Sequence, residues 1–152
     1  MTTIGIDPGK SGGIAWITDG KPCVEKMPGS LRDLWDLICD ITNHPRSTVD
    51  GRKYKAYIEQ VHSSPQMGVK SAFTFGQSFG HVLGILDANQ VPYLLVRPQK
   101  WQQQMGCLTK GDKNVSKAEA QRRWPFMRIT HANADSLLIA EWARTQGWRS
   151  NV

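Results

Sequence analysis

The chain has 152 residues and a formal net charge of +6, with 39% hydrophobic and 21% charged residues. This composition is typical of a globular protein with a hydrophobic core, and we expect residues 1–152 to form a single domain. The excess of positive charge favours a polyanionic partner, of which nucleic acid is the commonest. No apolar run reaches the roughly 18 residues that a membrane span needs, so no membrane partner is expected.

The cysteines indicate a reducing compartment. Cys23, Cys39 and Cys107 are an odd number and contain no CxxC pair. This usage argues against a disulfide framework and against a zinc cage. The sequence begins with a predicted strand and shows no signal-peptide pattern. We therefore expect a cytoplasmic location, with an organellar one left open.

Apolar patterning predicts three strands and a helix in the first third of the chain. The strands are expected at residues 2–7, 12–18 and about 21–27. Pro8 and Gly9 turn the first strand into the second, which predicts a β-hairpin. Ser30 is a typical N-cap, and the helix after it carries apolar side chains on one face, which we expect to be core. Those side chains are Leu31, Leu34, Trp35, Ile38 and Ile41. The polar residues 43–53 predict an exposed loop.

The rest of the chain predicts two more strands and four helices. The strands are expected at residues 55–61 and 91–96, and the helices at about 70–89, 97–105, 116–124 and 130–146. Ser116 and Glu119 match a capping box, and the residues before them, 107–115, are expected to be a flexible polar loop. The order βββαβαβααα predicts one mixed α/β domain, with a five-stranded sheet flanked by helices.

Glycines recur every four residues on the long helix predicted at 70–89. They are Gly76, Gly80 and Gly84. Each lowers helix propensity, so the expected gain is the close approach of another backbone, either within the fold or between subunits. The large aromatic side chains are expected to pack in cores or seams. They are Trp16, Trp35, Phe73, Trp101, Trp124 and Trp142.

Carboxylates stand where two apolar strands end. Asp7 ends the first strand and Glu59 follows the apolar run of the fourth, and a charge at the rim of a core needs a partner or a metal. His131 and Asp135 are four residues apart at the start of the last helix, which puts both on one face. If that turn abuts the strand ends, the four side chains converge. Such ligands suit Mg²⁺ or Mn²⁺, and a pair of these ions is the standard apparatus for phosphodiester cleavage.

Each of these residues also has an interpretation without catalysis. Asp7 is common in Asp-Pro-Gly turns, and an aspartate such as Asp135 in the first turn of a helix is favoured by the helix macrodipole. Glu59 could form an ion pair with a lysine at the sheet edge, and His131 could be a surface residue before a helix. Four such residues at apolar-to-polar boundaries nevertheless favour a common site.

Basic residues gather between the fifth strand and the last helix, and we call them the basic track. Such residues neutralise phosphates and make the affinity for DNA fall with salt, which favours a DNA-binding surface. The basic track consists of Arg97, Lys100, Lys110, Lys113, Lys117, Arg122 and Arg123. Lys110 and Lys113 are expected in the flexible loop, where they could reach a scissile phosphate.

Three segments resemble the acidic blocks of RuvC-type Holliday junction resolvases, in order and almost end to end. They are Gly5-Ile6-Asp7-Pro8-Gly9, Tyr57-Ile58-Glu59-Gln60-Val61 and residues 131–140. Residues 75–80, Phe-Gly-Gln-Ser-Phe-Gly, resemble the Gly-Gln helix motif of that family. Bacterial members usually carry an acidic residue or histidine where this chain has Ala132. The His-x-x-x-Asp form looks closer to the plant-organellar and phage branches.

The resemblance implies a ribonuclease H-like fold and a homodimer, with the helix 70–89 at or near the interface. It implies a bacterial or phage-encoded, Mg²⁺-dependent crossover junction endodeoxyribonuclease of DNA recombination and repair. Such an enzyme makes paired nicks across a four-way DNA junction with two Mg²⁺ ions per active site, and Mn²⁺ is expected to substitute.

The resemblance also assigns residues to roles. Asp7, Glu59 and Asp135 match the acidic metal ligands, and His131 is expected to serve as a further ligand or as an acid/base. The loop after the family's glutamate often carries an aromatic wedge that enters the junction. In this chain that loop contains His62 and Gln66, and the Gly-Gln motif contains Gln77. We expect these last three residues to contact DNA.

Other functions stay open. A ribonuclease H-like nuclease could act on flaps or on RNA–DNA hybrids, and a junction-binding protein could lack catalysis. The hairpin 7–13 also resembles the phosphate loop of actin-like ATPases and sugar kinases. Those proteins need two such lobes, whereas 152 residues supply one.

Overall fold

The computed structural model describes residues 1–42 and 54–146, which form a five-stranded mixed sheet flanked by five helices. The strands are β1 (Thr2–Asp7), β2 (Gly13–Thr18), β3 (Lys21–Lys26), β4 (Tyr54–Glu59) and β5 (Tyr93–Val96). The helices are α1 (Leu31–Thr42), α2 (Val69–Ala88), α3 (Pro98–Met105), α4 (Lys113–Arg123) and α5 (His131–Gln146). The predicted α/β class and element order are confirmed. The loop predicted over 43–53 lies outside the described residues.

The strand order β3-β2-β1-β4-β5 places β1 at the centre of the sheet. β1 is antiparallel to β2, with Asp7 opposite Gly13, so the predicted hairpin is confirmed. β1 is parallel to β4, with Ile6 opposite Ile58. Because parallel neighbours end at the same edge of a sheet, the next residues, Asp7 and Glu59, stand side by side at that edge.

The sheet separates two apolar cores, because side chains alternate between its faces. In β4, Ile58 packs with α1 and α2, whereas the adjacent Tyr57 packs with α3, α4 and α5. Tyr57 and Trp142 of α5 meet edge to face, with ring centroids 5.5 Å apart. The α5 helix is the most deeply buried helix among the described residues, with eight buried positions from Ala134 to Ala143.

Two glycines let α5 lie against the backbone of the sheet. A Cβ on Gly5 would come within 2.3 Å of the backbone N of Ala140 and the backbone O of Ser136. A Cβ on Gly13 would come within 2.6 Å of the backbone O of Ala132. These are backbone atoms, which cannot avoid a Cβ by a change of rotamer, so both positions require glycine. The contact holds the first turn of α5 over the ends of β1 and β2.

The start of α4 differs from the prediction, and the expected capping box does not form. Asp112 is the N-cap, and its Oδ1 accepts a hydrogen bond of 2.9 Å from the backbone N of Asn114. Ser116 is buried inside the helix, and Glu119 pairs with arginines instead of capping. The Asp112 cap satisfies an orphan N–H group at Asn114, so the helix begins earlier in the chain than predicted. Lys113 is therefore the first residue of α4 and not part of a loop.

Three large side chains predicted to be packed are exposed. Leu31 is 50% exposed, Trp35 36% and Phe73 75%. The narrower stripe of Leu34 and Ile38 with Ile41 covers the sheet from α1, and Leu31 and Trp35 flank it. Trp101, Trp124 and Trp142 are buried, as predicted.

The glycines of α2 form no packing seam within the described residues. A Cβ built on Gly76, Gly80 or Gly84 meets no atom within 4 Å. The alternative of a seam between subunits stays a prediction. In the part of the chain that the structure describes, no helix combines the length and the apolar character needed to cross a membrane.

Candidate active site

Asp7 ends β1 in a tight turn that leaves room for its carboxylate. Its Oδ1 accepts a long hydrogen bond, 3.4 Å, from the backbone N of Gly9. A Cβ on Gly12 would lie 2.6 Å from Asp7 Cγ, so a larger residue there would displace the carboxylate. The Asp-Pro-Gly turn interpretation is therefore compatible with a functional role, since the turn presents the carboxylate at the sheet edge.

Glu59 ends the neighbouring strand and is held by a buried tryptophan. Its Oε1 accepts a hydrogen bond of 3.0 Å from Trp101 Nε1. Trp101 lies in the middle of α3 (Pro98–Met105), which is followed by Gly106, a left-handed C-cap with φ of 73°. Proline at the first position and glycine after the last turn define a short helix of fixed length. The structure shows no lysine pairing with Glu59 through a salt bridge in the described residues.

Asp135 reaches the same edge from α5, one turn after His131. Burial raises the pKa of Asp135 above its ordinary value, and hydrogen bonding from the Ser116 hydroxyl of α4 offsets part of that rise. The same hydroxyl acts on the buried thiol of Cys107, whose pKa is raised to about 11, first by burial and then by Asp135. Cys107 therefore stays a neutral thiol behind the site.

The three carboxylates disfavour one another's ionisation. Burial, and then the charge of Asp135, raises the pKa of Asp7 from 3.8 to about 6. Burial, and then the charge of Asp7, raises the pKa of Glu59 from 4.5 to about 7. Desolvation and like charge both penalise the anion, so part of the negative charge is suppressed near neutral pH. Perturbed carboxyls of this kind at a sheet edge are typical of a functional site.

Lys113 is the cation that acts on all three carboxyls. It lowers the pKa of Asp7, Glu59 and Asp135 alike. As the first residue of α4 it is exposed, so its ammonium group can also meet a ligand at the edge. One member of the basic track, Lys113, therefore acts on the acidic site, and the start of α4 determines its position.

The predicted convergence is only partly visible. Asp7, Glu59 and Asp135 interact with one another, whereas His131 is exposed at the first position of α5 and acts on Asp135. Within residues 1–42 and 54–146, no three His, Cys, Asp or Glu side chains are gathered closely enough to hold a metal ion. The predicted four-residue ligand set is therefore not preassembled.

The donor chemistry nevertheless fits a hard divalent cation. Three carboxylates from three elements bring only oxygen donors, which Mg²⁺ and Mn²⁺ prefer. Burial raises the pKa of all three carboxyls, and the charge of a neighbouring carboxylate raises those of Asp7 and Glu59 further. A bound dication would offset that repulsion and favour the ionised carboxylates. The residues present therefore suit a divalent cation.

The other predicted DNA-binding residues are spread over the surface. His62, Gln66 and Gln77 are exposed, as are Lys110 and the pair Arg97 and Lys100 at the start of α3. Lys117 is half-buried. The arginines at the end of α4 are engaged within the chain, because Arg122 and Arg123 pair with Glu119 at 2.7 and 2.6 Å. That pairing leaves them less available for phosphates than the lysines.

Sequence reasoning missed a basic cleft between the β1–β2 turn and α2. Lys10, Lys70 and Phe75 line it, together with the hydroxyl groups of Ser11, Ser71, Thr74 and Ser78. Phe75 lies 3.6 Å from a Cβ built on Gly9, so the cleft adjoins the turn that carries Asp7. Lys10 follows Asp-Pro-Gly directly, but only the fold brings Lys70 beside it.

A five-stranded mixed sheet in the order β3-β2-β1-β4-β5, with helices on both faces, is a ribonuclease H-like α/β fold. Known structures agree with this class. The chain superposes on Thermus thermophilus RuvC in complex with a Holliday junction substrate with a TM-score of 0.62 and 18% identity, covering 97% of this chain and 96% of that one. A second Thermus thermophilus RuvC structure gives 0.61 and 18%, covering 93% and 92%. The predicted fold is therefore confirmed. No family model and no curated protein sequence matches the chain.

Glu59→Gln is expected to stabilise the protein in EDTA, and to do so more at about pH 8 than at about pH 5. The raised pKa means that wild-type stability is lost as pH rises from the ordinary value, 4.5, through about 7. Glutamine stays neutral and keeps an oxygen for Trp101. We expect a gain on the order of 1 kcal/mol between the two pH values, or about 3 °C in the melting temperature.

Thermal unfolding of wild type and variant at both pH values measures this difference. Glu25→Gln, an exposed change on the edge strand β3, is the control and should show no such pH dependence. A Glu59→Gln protein that melts below wild type at the higher pH would show that the site carboxylates do not oppose one another.

Proposed function

We propose that this protein is a metal-dependent endodeoxyribonuclease that resolves four-way DNA junctions by paired cleavage. The observation that carries the proposal is that Asp7 and Glu59 end neighbouring parallel strands at one sheet edge, where the charge of Asp135 acts on both and Lys113 acts on all three. The fold is shared with a RuvC whose structure contains a Holliday junction substrate. The formal net charge of +6 supports a nucleic-acid substrate.

Asp7, Glu59 and Asp135 would hold the cation, which we propose to be Mg²⁺, two per site, with Mn²⁺ able to substitute. When bound, such ions supply an activated water and stabilise the leaving oxygen of a phosphodiester. The protein's own part is to hold the three carboxylates on separate rigid elements. β1, β4 and α5 do this through the strand register and the glycine contacts described above.

Lys113 and His131 flank the carboxylates and would act on the substrate. Lys113 is exposed and cationic, so it would contact the scissile phosphate and offset its negative charge. His131 stands on the same face of α5 as Asp135, where imidazole can accept a proton near neutral pH or join the ligands. Its exposure leaves it free to move toward a substrate.

The DNA would approach the sheet edge between two basic regions. On one side lie the lysines of the basic track, and on the other side lies the cleft of Lys10 and Lys70. Contacts from both sides would hold the backbone on either flank of the scissile phosphate without reading bases. The exposed His62 and Gln66, in the loop after Glu59, would meet the junction centre.

We also propose a homodimer that uses the exposed face of α2. Val69 and Phe73 are 88% and 75% exposed, and the open Gly76, Gly80 and Gly84 continue their stripe along the helix. A second copy of the same face would bury these apolar groups and allow close backbone approach. A two-fold dimer would present two sites to the two strands of a symmetric junction. The free cysteines are consistent with a reducing compartment, which we propose to be the cytoplasm.

In an assay with a labelled four-way junction, we expect paired nicks that require Mg²⁺ or Mn²⁺. Asp7→Asn, Glu59→Gln and Asp135→Asn should each abolish cleavage, because each removes a ligand charge. Junction binding, measured by gel shift in EDTA, should stay close to wild type, since these residues are not phosphate contacts. Asp36→Asn, an exposed change on α1, is the control and should cleave normally.

The substrate panel separates the proposal from its alternatives. Linear duplex, flap and RNA–DNA hybrid are tested beside the junction. Preferred cleavage of flaps or hybrids would identify another ribonuclease H-like nuclease. Junction binding without cleavage in any divalent ion would identify a non-catalytic junction binder, and either result would overturn the proposal.

The role of His131 is tested in the same junction assay. His131→Ala should slow cleavage by about 10²–10⁴-fold, as for the loss of an acid/base group, and His131→Asp should recover part of the rate because a carboxylate can also bind Mg²⁺. A His131→Ala rate within a few-fold of wild type would show that His131 is a surface residue without a role in cleavage. Lys113 would then be the group to examine for proton transfer.

Phe73→Glu is expected to convert the dimer into a monomer in sedimentation velocity. A charge on the proposed interface would face its own copy across the two-fold axis, and like charges there repel. Phe126→Glu is the matched control, since Phe126 is 76% exposed but lies outside α2. Wild-type protein that sediments as a monomer, with and without DNA, would contradict the proposed interface.

A further inference from the structure

We propose that Trp101 is a positioning residue, which fixes the Glu59 carboxylate so that its free oxygen can receive a divalent cation. The inference rests on the proposed function, because it concerns the same acidic edge. Trp101 touches neither the substrate nor the reacting atoms, and it would act only through Glu59. The argument uses the burial of the indole, the direction of its hydrogen bond and the contrast with a second buried tryptophan.

The indole is fixed by packing before any ligand arrives. Trp101 is 0% exposed and sits in the core beside Met105, Cys107 and Trp142. Its Nε1 donates to Glu59 Oε1 at 3.0 Å, across the boundary between α3 and β4. A large ring enclosed on all sides has one available rotamer, so the donor has one fixed direction. The carboxylate it holds gains the same fixed direction.

The hydrogen bond is stronger with the charged carboxylate than with the neutral acid, because an ionised acceptor attracts a donor more strongly. An indole N–H donates and cannot accept, so it holds an oxygen of Glu59 that carries no hydrogen. With Oε1 committed to Trp101, Oε2 is the oxygen left for a cation. Partners of this kind, behind the ligands of a metal, orient them and tune affinity.

A second tryptophan in the same core provides the contrast. Trp142 is also buried, at 1% exposed, and its Nε1 donates to Gln104 Oε1. Both indoles thus satisfy a buried N–H, which is the ordinary structural requirement. Only the acceptor of Trp101 is an acidic strand end. If satisfying the donor were the sole purpose, a neutral acceptor such as Gln104 would serve, without placing the indole against a buried anion.

The test is binding of Mn²⁺ to protein without DNA, measured by calorimetry. Trp101→Phe keeps an aromatic ring and removes the donor, and we expect affinity to fall by about 10-fold, at the lower end of the range for groups behind metal ligands. Trp142→Phe removes an equivalent buried donor and should bind Mn²⁺ as wild type does. Trp101→His keeps a ring N–H and should bind more tightly than Trp101→Phe, despite its smaller volume.

If the tryptophan variants do not fold, the inference can still be tested on the wild-type protein by NMR. In ¹H–¹⁵N spectra, addition of Mg²⁺ should shift the indole N–H signal of Trp101 and leave that of Trp142 in place. The shift should disappear in Glu59→Gln. These signals report the hydrogen bond itself, and they do not depend on cleavage activity.

The outcomes separate this inference from the proposed function. If wild-type protein binds no divalent ion and cuts no junction, the proposed function fails. If wild type binds and cuts while Trp101→Phe binds Mn²⁺ within twofold of wild type, only the role of Trp101 is overturned. Equal losses in Trp101→Phe and Trp142→Phe would also overturn it, because packing would then explain both. An unmoved Trp101 signal would do the same.

Discussion

The closeness of α5 to the backbone of β1 is the constraint on which the site depends. Gly5 allows the backbone at Ser136 and Ala140 to sit where a Cβ would otherwise stand. That contact fixes the height of α5 along the sheet, and with it the position of Asp135 relative to the strand ends. A side chain at position 5 would push the helix outward and separate Asp135 from Asp7. The contact between Gly5 and α5 therefore determines both the packing of the core and the geometry of the acidic site.

The acidic edge lowers the stability of the fold while it gathers oxygen donors of the kind that suit a hard cation. Burial and mutual repulsion raise the pKa of both Asp7 and Glu59, so the ionised site opposes folding when no cation is present. The surrounding groups each relieve part of this cost: Lys113 by charge, Ser116 and Trp101 by hydrogen bonding. This balance is typical of functional sites, which are often less stable than a neutral replacement would be.

The carboxylates at the strand ends were predictable because their signal is local. An apolar run that ends in Asp7 or Glu59 indicates a strand terminus, and parallel pairing then places both at one edge. The start of α4 could not be predicted in this way, because Asp112 and Ser116 are both residue types that cap helices. Only the burial of Ser116 in the folded protein decides between them.

The hydrogen-bond partner of Glu59 could not be predicted from the sequence either. Trp101 lies 42 residues further along the chain, and nothing local distinguishes it from other core tryptophans.

The helices on the two faces of the sheet carry different groups of residues. Helices α3, α4 and α5 pack on one face and carry Trp101, Lys113 and Asp135, which tune or complete the acidic edge. Helices α1 and α2 pack on the other face, and α2 leaves Phe73 and its glycine stripe uncovered. In the proposed dimer, a second copy on α2 would leave the helices on the other face uncovered. In the proposed function, DNA would reach the carboxylates from the edge, between Lys113 on one face and Lys70 on the other, so that cationic groups would lie on both sides of one phosphodiester backbone.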